Sequence, residues 1–351
     1  MKINKRVLVI ATSSNTRGGI TAVIKAHQVS NFWEEWNCIW IETHIDKSIF
    51  TKLFYFIKSF IKYIYLIKNS SLIHFHLSGP ISSLRKLPFL LFSKLLRKPI
   101  IVHFHAGIPD FSFDKKYKSL YAIIFGFADS VIVLSQNWKL SICRDLSLPE
   151  SKVKIISNPC PNIERDNSLD SKKIILYAGT LYEKKGYADL ITAFSKIAYN
   201  YSDWKLVFAG NGEIEEGKTL AKKLNIYDQV IFKGWVIGDE KHKLFSQASI
   251  FCLPSYAEGF PMAVLDAWAY ALPVVSTPVG GIPDVAIHGE NMLLCEPGNI
   301  NCLARNLKLL IDDDKMRKKL IKASKEFSTG KFSISSISKD WNRLYNNLLK
   351  I

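Results

Sequence analysis

Short apolar runs recur along the chain, separated by longer stretches with helical spacing. The first, Val7-Leu-Val-Ile-Ala-Thr12, is followed by a polar loop, Gly18-Gly19 and a helical pattern toward Trp36. Residues 173–180 open a second series in the same way, with Leu-Tyr-Glu-Lys-Lys185-Gly186 as the loop and a helical pattern to about Tyr199. Further strands are expected at 38–43, 72–77, 99–105, 130–134 and 153–157, and at 204–209, 230–234, 249–253 and 273–276. Uninterrupted apolar strands that alternate with helices predict parallel, doubly wound sheets buried on both faces. Ligands of such sheets lie at the carboxyl ends of the strands.

The 351-residue length favours two domains over a single core. The Pro- and Asn-rich stretch 158–168 supplies the natural boundary. We expect an N-terminal Rossmann-like domain over residues 1–160, a second over 161–335, and a C-terminal helix at 336–351 that packs back on the first. The apolar run behind the basic N-terminus is too short for a secretory signal, and no run reaches the length of a membrane span, so the expected location is cytoplasmic. The six cysteines form no C-x-x-C pair and read as reduced thiols, without disulfides or a zinc site.

Charge changes the picture for one half only. Residues 1–160 hold 22 Lys/Arg against 9 Asp/Glu, whereas the remainder holds 25 against 22. From Lys47 to Pro109 there is no acidic residue, and ten Lys/Arg are interleaved with aromatic residues. Such a region suits polyanions or an anionic membrane surface. Within it, residues 49–68 read as an amphipathic helix with Leu53, Ile57, Phe60, Ile64 and Ile67 as the buried stripe, and Tyr55, Lys58, Lys62 and Tyr65 on another face. No nucleic-acid recognition motif accompanies the charge.

The most informative segment runs from Glu258 to Gly281. A carboxylate precedes a Pro-started helix and a second acid, Asp266, follows eight residues on. A helix N-terminus offers unpaired N–H groups and partial positive charge to phosphate, and carboxylates suit sugar hydroxyls. Glu258-Gly-Phe-Pro with Asp266, the stretch Leu272 to Asp284, the Lys185-Gly186 turn and the Gly18-Gly19 loop together resemble glycosyltransferase family four, across essentially the whole chain.

The resemblance implies the GT-B fold, two Rossmann-like domains facing across a cleft, and retaining transfer from a nucleoside-diphosphate sugar, a UDP- or GDP-sugar, without metal or other cofactor. Glu258 would bind donor-sugar hydroxyls, and the amides of Gly259, Phe260, Pro261-Met262 would approach the sugar and diphosphate. Asp266 would bind the ribose, Lys185 would neutralise the diphosphate, and Gly18 and Gly19 would let backbone close over it. His105, in Val102-His-Phe-His-Ala-Gly107, would lie beside the donor sugar. Two positions depart from the family: Asp266 stands for a glutamate, and Thr180 for an arginine, with Lys184 the nearest substitute cation. An ammonium does not reproduce a guanidinium fork.

The expected acceptor is a lipid-linked surface glycan, the enzyme sitting peripherally on the inner face of the membrane. A nucleotide-sugar epimerase of the same fold and a degenerate binding subunit are the alternatives. The paired motifs His74-Phe-His76 and His103-Phe-His105 put two imidazoles on one face of each strand, and read as cleft-lining or core histidines. Asp312-Asp-Asp314 reads as a solvated helix junction.

Overall fold

A computed structural model describes residues 5–107, 115–163, 166 and 171–351. It contains two compact units, Met1–Pro159 with Ile334–Ile351, and Cys160–Ser333. The first holds a six-stranded sheet of β1 (Val7–Ala11), β2 (Ile39–Glu42), β3 (Leu72–Leu77), β4 (Ile100–Phe104), β5 (Ser130–Val133) and β6 (Val153–Ile155). Their order is β2-β1-β3-β4-β5-β6 and every pairing is parallel. The inner strands are buried on both faces, which is why they read as continuous apolar runs.

The second unit repeats the architecture with β7 (Ile174–Ala178), β8 (Lys205–Ala209), β9 (Val230–Gly234), β10 (Ile250–Leu253), β11 (Val274–Ser276) and β12 (Leu293–Leu294). Here the order is β12-β11-β10-β7-β8-β9, again parallel. The doubly wound expectation therefore holds in both halves. Each sheet changes winding direction once, between β1 and β3 in the first unit and between β7 and β10 in the second. Those switch points open a crevice at the strands' carboxyl ends.

The first unit's core is closed by the C-terminal helix Ile334–Leu349. Its Ile337, Trp341, Leu344 and Tyr345 bury against β1 and the helices of the same face, and Trp36 Nε1 donates to Asn342 Oδ1. No helix among the described residues is long and apolar enough to cross a membrane.

The helix Ile49–Ile67 corrects one expectation. Its buried side is Phe56, Ser59, Phe60, Tyr63, Leu66 and Ile67, whereas Leu53, Ile57 and Ile64 face outward with Ile49, Phe50, Phe54 and Ile61. The helix is apolar on most sides, so helical spacing does not by itself fix which side is buried. The aromatic stripe wins because Phe56, Phe60 and Tyr63 pack on Phe89 at centroid distances of 5.7, 4.9 and 5.1 Å, and Tyr63 Oη donates to the Phe89 carbonyl at 2.9 Å. What remains outside is an aliphatic face bordered by the exposed Lys52, Lys58 and Lys62.

Candidate active site

In the second unit the winding switch gathers the loops after β7 and β10. The loop after β7 makes a 3-10 turn, Glu183–Lys185, and ends on Gly186 at φ 69°. A side chain there would place its Cβ 2.1 Å from the Pro254 carbonyl, so only glycine lets the two loops touch. The Tyr256 amide then donates to the Lys184 carbonyl at 2.8 Å.

This contact brings Lys185 to Glu258, whose carboxylate accepts from the ammonium and, at 2.8 Å, from Ser255 Oγ. Glu258 is only 7% exposed. A buried carboxylate of this kind is tolerable because both partners are charged or hydroxylic donors. Gly280, at φ 60°, passes so close that a Cβ would meet the Glu258 and Gly259 carbonyls at 2.4 Å, and the Gly281 amide donates to the Gly259 carbonyl at 2.7 Å.

The helix Met262–Ala269 starts from Pro261 without a side-chain cap. Among the described residues the amides of Gly259, Phe260, Met262 and Ala263 make no hydrogen bond, which leaves a row of donors next to Lys185 and Glu258. The Phe260 ring itself turns into the core against Trp268 and Phe332. Only its backbone is left on the Lys185–Glu258 side.

Asp266, one turn along that helix, accepts from Lys241 Nζ at 2.7 Å. Burial raises its pKa, and Lys241 acts in the opposite sense. Lys241 was not singled out from the sequence, because a lysine in a charged helix start carries no local signal. Thr180 lies at the mouth of β7 with an exposed side chain, and its carbonyl accepts from Tyr177 Oη at 3.1 Å. The Lys184 side chain is exposed. The β8 loop also went unread: Gly210 and Gly212 let it press on the β7 loop, a Cβ at either lying 1.8 and 2.1 Å from the Gly179 and Leu181 carbonyls.

In the first unit, Gly18 caps the helix Gly19–Gln28 at φ 143°, with open space where a Cβ would stand. His105 follows β4, donates its amide to the Leu77 carbonyl at 2.8 Å, and shares a 2.9 Å hydrogen bond between Nε2 and His76 Nδ1. Burial, then the charge of Lys86, then His27, push its pKa down to about 3, so the imidazole is neutral. His74, His76 and His103 are buried beside it, with ligand nitrogens within 4.8 Å of one another, and burial lowers all three well below the usual range. His74 stacks on His76 at 4.4 Å and 21°, and His74 Nδ1 is engaged by Tyr345 Oη at 2.8 Å. The acidic run is a helix junction: Asp313 caps the Met316 amide at 2.9 Å, Asp314 pairs with Arg317 and Lys318, and Asp312 with Lys308.

Two parallel, doubly wound sheets in separate units, with a basic turn meeting a carboxylate at one winding switch, define a protein of the GT-B fold. A family model described as glycosyl transferases group 1 matches residues 161–327, and one described as glycosyltransferase family 4 matches residues 26–161. The chain belongs to this glycosyltransferase family.

Among curated relatives, an uncharacterized glycosyltransferase of Methanocaldococcus jannaschii is 31% identical over 61% of this chain and 59% of its own length. The N-acetyl-alpha-D-glucosaminyl L-malate synthase of Bacillus anthracis is 30% identical over 52% of this chain and 47% of its own. The matched part thus spans about half the length of such relatives. A Campylobacter jejuni N-acetylgalactosaminyltransferase named for an undecaprenol-diphosphate-linked glycan is 26% identical over 71% and 68%. Among solved structures, Anabaena HepE with UDP-glucose superposes with a TM-score of 0.78 at 16% identity, over 97% of this chain and 99% of that one.

Proposed function

We propose that this protein transfers a sugar, with retention, from a nucleoside-diphosphate sugar to a lipid-linked surface glycan. The observation that carries the reading is the Lys185–Glu258 pair set against the uncapped start of the helix Met262–Ala269. Breaking a glycosyl–phosphate bond leaves negative charge on the departing diphosphate, and an ammonium beside free amides stabilises it. Glu258 then orients sugar hydroxyls, and Asp266 takes the ribose from its place beside Lys241. With Asp266 assigned to ribose, the Glu258–Asp266 pair does not fit the acid and covalent nucleophile of a retaining glycosidase. Attack from the face of the leaving phosphate, whose oxygen takes the acceptor's proton, accounts for retention.

A UDP-sugar is favoured by the HepE likeness, that protein having been solved with UDP-glucose. The lipid-linked acceptor is favoured by the Campylobacter transferase and by a Staphylococcus aureus capsular enzyme that is 25% identical over 67% of this chain. Screening UDP-, GDP- and ADP-sugars for thermal stabilisation, then assaying product with and without acceptor, tests the reading. Stabilisation by at least one donor and acceptor-dependent product are expected. A new sugar nucleotide from donor alone would make the protein an epimerase, and no nucleotide binding would make it a binding subunit.

Membrane attachment is proposed through the outward face of the helix Ile49–Ile67. Phe50 is 82% and Ile61 63% exposed, and Lys52, Lys58 and Lys62 lie along the same helix. Apolar side chains buried at the headgroup boundary and lysines worth about 1 kcal/mol each near anionic lipid suit a peripheral enzyme on the inner leaflet. The variant Lys58→Glu/Lys62→Glu is expected to lose most of its flotation with phosphatidylglycerol vesicles. Undiminished flotation would overturn this part of the proposal.

A further inference from the structure

The first unit buries a cation that neither the fold nor the residues discussed so far require. Lys86, in the helix Pro80–Leu95, is 1% exposed. Its one hydrogen bond is to Ser82 Oγ at 2.8 Å, and among the described residues no carboxylate lies within ion-pair distance of it. An ammonium has three donors, so two are left to be filled. Arg85 beside it is also partly buried, and its Nε has no partner among the described residues. Among the described residues Asp46, which binds His44 Nε2 at 3.0 Å, acts on Arg85 from a distance. Burial and the Arg85 charge push the Lys86 pKa well down, and Lys86 in turn lowers that of His105.

These groups collect at one place. His44 follows β2, Ser82 to Lys86 follow β3 and His105 follows β4, all at the carboxyl edge of the sheet, next to the switch between β1 and β3. The loop after β1 is tied to it, the Ser13 amide donating to the His44 carbonyl at 2.7 Å. A buried lysine with no counter-charge among the described residues costs stability whether it carries its proton or loses it, and an apolar side chain of the same volume would be the more stable occupant. Such groups are retained where they meet a ligand.

We propose that Lys86 and Arg85, with Ser82 and His105 at the same edge, bind a phosphate group of a substrate. The guanidinium supplies a fork for two oxygens, and the ammonium a point charge for a third. The phosphate comes either from the diphosphate of a lipid-linked acceptor or from that of the nucleotide donor. That it belongs to a substrate rests on the transferase reading, whereas the phosphate site itself does not.

The test is calorimetry on the full chain with pyrophosphate, UDP and a short-chain polyprenyl diphosphate in detergent, for the wild type, Lys86→Met and Arg85→Gln. Lys86→Met is expected to hold or raise Tm without ligand, because a costly buried charge is gone, while weakening at least one phosphate ligand by about tenfold or more. Loss confined to the polyprenyl diphosphate identifies the acceptor's phosphate, and loss confined to UDP the donor's. Affinities for all three within twofold of wild type in both variants would overturn the proposal; if Lys86→Met fails to fold, Arg85→Gln and Ser82→Ala decide on the same criterion. Pyrophosphate binding lost in Lys86→Met, in a protein that transfers no sugar, would keep the phosphate site and remove the transferase reading. Unaltered binding in a protein that does transfer sugar would do the reverse.

Discussion

Lys185→Gln is expected to lower the rate of sugar transfer by about 10²–10³-fold, the range found when one donor to a developing oxyanion is removed. The same ammonium also neutralises Glu258, a buried carboxylate with Ser255 as its other partner, so the single variant loses stability as well. The two effects separate in a pair of variants. Glu258→Gln strands Lys185, Lys185→Gln strands Glu258, and the double variant leaves two amides that can bond to each other. Tm is expected to fall in each single variant and to recover in part in the double, while transfer stays at least about 100-fold down in all three. Recovery of transfer to within tenfold in the double variant would mean that the pair is a structural ion pair, and the donor site would have to be sought elsewhere.

The strands were legible because burial on both faces leaves a signature that needs no partner to be read. The run 72–77 became β3 and 230–234 became β9 with unchanged bounds, and most others moved by one or two residues. The two-residue β12 carried no such signature. Glu258 and Lys185 were readable from motif and spacing, though their mutual contact depends on Gly186 and Pro254 meeting in space. What the chain order hides is pairing across loops and choice between faces. Lys241 reaches Asp266 from a helix 25 residues upstream, and nothing near Lys241 announces it. The helix Ile49–Ile67 is apolar on most sides, and the position of Phe89 decides which side is inside. Lys86 looks like any helix lysine until its burial is known.

The histidines supply the other large effect, a loss of stability in mild acid. His27, His74, His76 and His103 are buried in the first unit with His105 half-buried beside them, and burial is the leading cause that lowers each of the five, His27 to about 4 and His105 to about 3. Several nitrogens have no partner among the described residues, including His27 Nδ1, His74 Nε2 and both of His103, so no acceptor stands ready for an added proton. The unfolded chain protonates these residues near pH 6.5, whereas the folded unit resists to much lower pH. Their contribution is therefore intact above pH 6.5 and is lost progressively as pH falls below it toward the folded values.

Each pH unit in that window costs about 1.4 kcal/mol per histidine. Five of them amount to roughly 6 kcal/mol between pH 7 and pH 5.5, against a typical total of about 5–15 kcal/mol. Urea denaturation followed by tryptophan fluorescence is expected to show the first unit unfolding at a far lower urea concentration at pH 5.5 than at pH 7.5. His103→Gln/His74→Gln should flatten that dependence even if its stability at pH 7.5 is lower. A midpoint independent of pH across this range would show that the folded cluster takes up protons as readily as the unfolded chain. The neutral state assigned to His105 would fall with it.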